Sequence, residues 1–124
     1  MKESVIQESI VNFLSMICRQ YGFLFFSVPN EGLLMICKML HIPEKISRAL
    51  FALLKKMGLL PGASDLIIGY RGKMYCIEVK NEKGKQSDRQ KNFERWCAEC
   101  CIPYILVRSV DDVHEALKKW GIVK

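Results

Sequence analysis

No apolar run in this sequence approaches the ~18–20 residues that a membrane-crossing helix needs. The run LLMICKML (33–40) is short and carries Lys38. Nothing repeats, and no stretch is low in complexity or reads as a linker. Histidine is scarce: His41 and His114 are the only two, so a histidine-built metal cage has few ligands to draw on. Acids are outnumbered by bases, 13 to 19, leaving a net charge of +6 and a pI of about 9.1. That balance favours an anionic partner but does not choose between nucleic acid, a membrane surface and an acidic protein. The opening MKESVIQESI holds acids and no continuous apolar stretch, so it does not read as a secretory signal. The six cysteines are therefore expected as reduced thiols in a cytoplasmic protein rather than as a disulfide framework.

What is present fits one domain over 1–124. Half of the 124 residues are apolar, enough for a core that needs no staple. Cys97 and Cys100 form a C-x-x-C, but Phe93, Trp96, Cys97 and Cys100 also recur at the spacing of a helix stripe. Core packing is the expected role, with zinc as the alternative.

Along the chain, residues 3–20 read as an amphipathic helix with Ile6, Ile10, Phe13, Leu14 and Ile17 on one face. Residues 23–28 read as a strand and 29–32 as a turn. Residues 33–58 suggest two helical pieces, with Pro43 in the first turn of the second and Gly58 as its C-cap. Ile46, Leu50, Leu53 and Met57 are its expected buried stripe. Residues 65–70 and 73–80 form an expected hairpin about Arg71-Gly72. A helix over 88–101, a buried strand over 103–108 and a last helix capped by Ser109 follow, with Val113, Leu117 and Trp120 facing inward. The order predicts a mixed α/β domain with a small central sheet flanked by helices.

Charge placement breaks the apolar rule at the hairpin. Asp65 heads one strand; Glu78 and Lys80 end the other and share a face. Pairing of the two strands brings all three together. Two carboxylates that close repel unless a cation lies between them, and Mg²⁺ suits an oxygen site completed by the Val79 carbonyl and waters. Such an ion activates water and offsets charge at a phosphate, with Lys80 orienting the water or stabilising developing charge. An Asp65–Lys80 ion pair accounts for the same residues without a metal. Residues 71–95 hold eight bases and four acids, so +4 of the +6 sits there. The loop with Lys83 and Lys85 suits a DNA backbone; a solvated lysine-rich turn has the same composition.

With those residues placed, the chain resembles the PD-(D/E)xK nucleases, and more narrowly the virus-type replication-repair nuclease (VRR-NUC) family. ESVIQ (3–7), FSVPNEG (26–32), LLPGASDLII (59–68), YCIEVK (75–80), QSDRQKNF (86–93) and PYILVRSVDDV (103–113) are similar to its motifs in order. Ser64 and Ala63 stand where the family carries Pro and Val, which touches loop stiffness rather than the charged signature.

The resemblance implies a restriction-endonuclease-like core and a Mg²⁺- or Mn²⁺-dependent endonuclease leaving a 5′-phosphate and a 3′-hydroxyl. It implies Asp65, Glu78, Val79 and Glu3 at the metal. Asp65, Glu78, Lys80 and Gln90 would serve catalysis, and Gln7, Lys83, Lys85 and Ser87 DNA contact. The direction of Glu3 on its helix agrees, although an acid complementing the helix dipole looks the same. Small stand-alone members suggest a phage or prophage source and a homodimer resolving four-way junctions; Leu33–Ile42, apolar beyond the needs of a small core, is the expected dimer surface. A nicking, flap or linear-duplex nuclease, or a DNA-binding module without catalysis, are the rival readings.

Overall fold

A computed structural model describes residues 1–124 apart from the side chain of Glu31. Its elements in chain order are α1 (Glu3–Tyr21), β1 (Leu24–Ser27), α2 (Asn30–Met39), α3 (Glu44–Lys56), β2 (Leu66–Tyr70), β3 (Lys73–Val79), α4 (Asp88–Glu99), β4 (Tyr104–Val107) and α5 (Val110–Lys119). The strands form one sheet in the order β1-β2-β3-β4. The first three pair antiparallel and β4 runs parallel to β3. This is a mixed α/β fold, as the element order predicts.

Strand alternation divides the sheet's side chains between two cores. Leu66 and Ile68 of β2, and Tyr75, Ile77 and Val79 of β3, meet Ile6, Ile10 and Leu14 of α1 and Val113 and Leu117 of α5. Ile67 and Cys76 point the other way, toward Phe93 and Cys97 of α4. Phe13 and Ile17 are half-buried at the edge of the first core. Trp120 sits just past α5 with its ring 4.9 Å from that of Tyr75. No helix among the described residues is long and apolar enough to cross a membrane.

The turns follow their residue chemistry. Arg71 and Gly72 take φ of 46° and 78°, so the hairpin reverses through two left-handed residues. Ser109 accepts from the Asp112 N–H at 3.1 Å and caps α5.

Four expectations need correction. Asn30 already belongs to α2, because the fixed φ of Pro29 suits the residue before a helix, so 29–32 is not a free turn. The stripe Ile46, Leu50, Leu53 and Met57 is exposed, up to 75% at Met57. α3 turns another face inward, with Ser47 buried and Phe51 and Leu54 half-buried. On α4, Phe93 and Cys97 are buried while Trp96 and Cys100 are exposed, because its side of the sheet holds the smaller core. Finally, β4 is half-buried except at Val107, as befits an edge strand.

Candidate active site

The hairpin register does the first part of the assembly. Leu66 pairs with Ile77, so the residue before one strand meets the residues near the end of the other. Asp65 Oδ2 accepts from the Val79 N–H at 2.8 Å. One carboxylate oxygen thus ties the loop to β3. Among the described residues the ion pairs are Met1–Glu82 and Glu115–Lys118. An Asp65–Lys80 ion pair is therefore not what places these charges.

Glu78 is 1% exposed and lies on the sheet face that α4 covers. Gln90 Nε2 donates to its Oε1 at 3.1 Å. The other end of that amide has a second task. Gln90 Oε1 accepts from the Ser87 N–H at 2.8 Å, and Ser87 Oγ accepts from the Gln90 N–H at 3.2 Å. This reciprocal cap begins α4. Gln90 and Ser87 therefore act on Glu78 by holding a helix end against it. Tyr104 stands near the same carboxylates. Burial pushes its phenol well above its usual range, a hydrogen bond from Gln86 draws it partly back, and Glu78, Glu94 and Asp65 add to the rise. The phenol stays protonated at any working pH.

Lys80 continues the ladder through its N–H to the Val107 carbonyl, 3.0 Å away. It is 6% exposed, and among the described residues no carboxylate lies within ion-pair distance of its ammonium. Its stem and the Glu3 carboxylate converge on Gly84. A Cβ there would lie 2.9 Å from Glu3 Oε2 and 3.2 Å from Lys80 Cδ. Arg108 holds the loop from outside, donating to the carbonyls of Asn81 and Gly84. Glu3 thus stands beside the Lys80 stem. Gln7 is half-buried on α1, and Lys83 and Lys85 are exposed.

Asp65, Glu78, Ser87 and Gln90 line a cleft of about 380 Å³, whose other walls include Leu34, Phe51, Lys55, Leu59 and Arg89. Gly62 also lines the cleft. Its φ is +85°, and a Cβ would stand 2.4 Å from the Arg89 carbonyl oxygen. The loop before β2 therefore packs backbone to backbone on the first turn of α4. Ser64, where the resembled family has proline, is fully buried and donates to the Leu66 carbonyl at 3.3 Å. It ties the loop to the strand by a hydrogen bond in place of ring stiffness.

Sequence reasoning missed Gly62, Gly84, Phe51, Lys55, Arg89 and Tyr104. The glycines were legible only as loop residues. Phe51 and Lys55 lie on the α3 face that the apolar stripe leaves out.

Asp65 and Glu78 offer hard carboxylate oxygens in one cleft, a donor type that fits Mg²⁺ or Mn²⁺ with several waters retained. Among the described residues no three His, Cys, Asp or Glu side chains form a cluster able to hold a metal by themselves. Cys97 lies with Cys76 at 4.0 Å between sulfurs, whereas Cys100 faces solvent, so the two thiols of the C-x-x-C diverge. Comparison of the chain with protein-family models, with curated proteins and with solved structures gave no match.

Proposed function

We propose that this protein is a metal-dependent endonuclease of the PD-(D/E)xK type acting on branched DNA. One observation carries the reading: Asp65 and Glu78 line a single cleft, and a buried Lys80 without a described ion-pair partner follows on the same strand. Asp65 and Glu78 would hold Mg²⁺ or Mn²⁺, with the Val79 carbonyl as a further oxygen. When bound, the ion supplies Lewis acidity, activating water and offsetting phosphate charge.

The protein's own residues do the rest. Val79 N–H fixes the Asp65 carboxylate, and Gln90 fixes that of Glu78, so both are oriented before substrate arrives. Lys80 orients the attacking water and stabilises charge on the phosphate. Glu3, beside the lysine stem, positions it. Water attacks phosphorus, the bond to the 3′-oxygen breaks, and that oxygen takes a proton. The products are a 5′-phosphate and a 3′-hydroxyl.

Paired nicks in a four-way junction need two sites related by a two-fold axis, which a homodimer supplies. The exposed Met35, Ile36 and Met39 of α2 and Leu40 just after it, with the outer stripe of α3, form the surface best suited to that contact. Leu53→Glu would then convert a sedimenting dimer to monomer, and a wild-type monomer at micromolar concentration ends the dimer proposal.

The first experiment is cleavage of end-labelled four-way junction, flap and linear duplex in Mg²⁺, Mn²⁺ or EDTA, beside Lys80→Ala. Paired junction nicks lost in EDTA and in the variant support the reading. Equal cutting of flap or linear duplex keeps the nuclease and removes the resolvase. Binding without metal-dependent cutting leaves a DNA-binding module.

A further inference from the structure

Part of the cleft has no task in holding a metal or a phosphate oxygen. Phe51, half-buried on the inner face of α3, lines it together with Leu34 of α2 and Leu59. These three make an apolar wall in the same cavity as Asp65 and Glu78. Two cations, Lys55 and Arg89, also line it, and both are otherwise exposed. The cavity of about 380 Å³ lies at the small end of the range that holds a single small ligand.

We infer that this wall receives the base of an unpaired nucleotide next to the scissile phosphate, stacked on Phe51. The inference rests on the nuclease reading for what lies at Asp65 and Glu78. Charge complementarity selects the occupant. A nucleotide joins an apolar π-face to an anionic phosphate, and the cleft joins an aromatic wall to Lys55 and Arg89. A purely apolar ligand leaves the two cations and two carboxylates without purpose. A base within a duplex has both faces covered by its neighbours, so only an unstacked nucleotide can present a face to Phe51. Selection of branched, bulged or flapped DNA over continuous duplex then comes from this pocket and not from base-edge contacts.

The test uses duplexes carrying one unpaired 2-aminopurine, moved nucleotide by nucleotide, beside fully paired controls. Binding is followed by 2-aminopurine fluorescence and titration with Ca²⁺ in place of Mg²⁺; cleavage of the same DNAs is followed in Mg²⁺. The expected result is a fluorescence change at one position only. Phe51→Ala removes it and weakens binding to the unpaired DNA roughly tenfold, in line with loss of one base–aromatic stack. Phe51→Leu keeps the wall apolar and so guards against misfolding, yet it should lose the same signal, while Phe51→Trp retains it.

Equal binding and cutting of paired and unpaired DNA by the wild type, with cutting abolished in Asp65→Asn, overturns the inference and leaves the nuclease standing. An unchanged signal in both Phe51→Ala and Phe51→Leu also overturns it. A Phe51-dependent signal with no cutting of any DNA upholds the pocket and removes the nuclease.

Discussion

Helices α1 and α3 carry the same kind of apolar repeat and meet opposite fates. In α1 the stripe of Ile6, Ile10 and Leu14 is buried against the sheet and α5. In α3 the stripe of Ile46, Leu50, Leu53 and Met57 faces out, and a face with Ser47 and Phe51 turns in. The repeat reports that these side chains share a face. It does not report what covers that face. α1 packs across strands of its own chain, whereas the outer face of α3 has no cover among the described residues. Six substitutions and a rise in pH sharpen or break this contrast.

The largest effect belongs to the covered side. Leu14→Ala should cost about 2–5 kcal/mol in urea unfolding, from lost burial and the cavity left behind. Leu53→Ala on α3 should stay within about 0.5 kcal/mol when measured under conditions where the chain is monomeric. Equal losses at the two sites would erase the contrast.

Gly62→Ala comes next. A Cβ meets backbone of Arg89 and the φ is left-handed, so neither side can yield cheaply. A loss of about 1–3 kcal/mol is expected from the strained backbone alone, together with weaker cleavage, since the loop and the start of α4 would separate. Gly84→Ala is the control. Its close neighbours are side-chain atoms of Glu3, Asn81 and Lys80 rather than backbone, so the loss of stability should be smaller than at Gly62 while Glu3 and Lys80 are displaced and cleavage falls.

Alkali tests the small core beneath α4. Burial raises the Cys76 thiol from its ordinary value of 9.0, a rise that hydrogen bonding to Ser64 and Cys97 moderates. Burial, with Cys76 beside it, pushes Cys97 from 9.0 to about 12. Below pH 9 these thiols keep their protons in both folded and unfolded chains. Between 9.0 and about 12 the unfolded chain releases the Cys97 proton and the folded chain does not, so stability falls as pH rises. Cys97→Ala should flatten that slope. Thiol reagents at pH 8 should modify exposed Cys100 and Cys101 in the native protein and reach Cys76 and Cys97 only in denaturant.

The remaining test is at the cap. Ser87→Ala should cost about 1 kcal/mol of stability. If the cap also holds Gln90 on Glu78, cleavage should fall by more than that loss predicts, with KM little changed.

The element order, the hairpin and its turn were legible in the sequence. They depend on local signals: alternation in 73–79, two left-handed positions at Arg71-Gly72, and the Ser109 cap. The meeting of Asp65 with the end of β3 followed from hairpin pairing and is present as the bond to Val79. The inward face of α3 was not legible. An outward stripe and an inward stripe have the same period, and only contacts distant in sequence separate them. The same holds for Gly62 and Arg89, 27 residues apart, whose backbone contact no local pattern encodes. The resemblance implies only a catalytic role for Gln90; its place between a helix cap and a carboxylate depends on where α4 docks.

That one amide also sets a thermal order of events. Gln90 joins the first turn of α4 to Glu78, and helix ends open well before a whole domain melts. Warming should therefore loosen the carboxylate at the temperature where this single turn frays. Activity would then decline below the midpoint of global unfolding, and amide exchange at Gln90 would mark the onset.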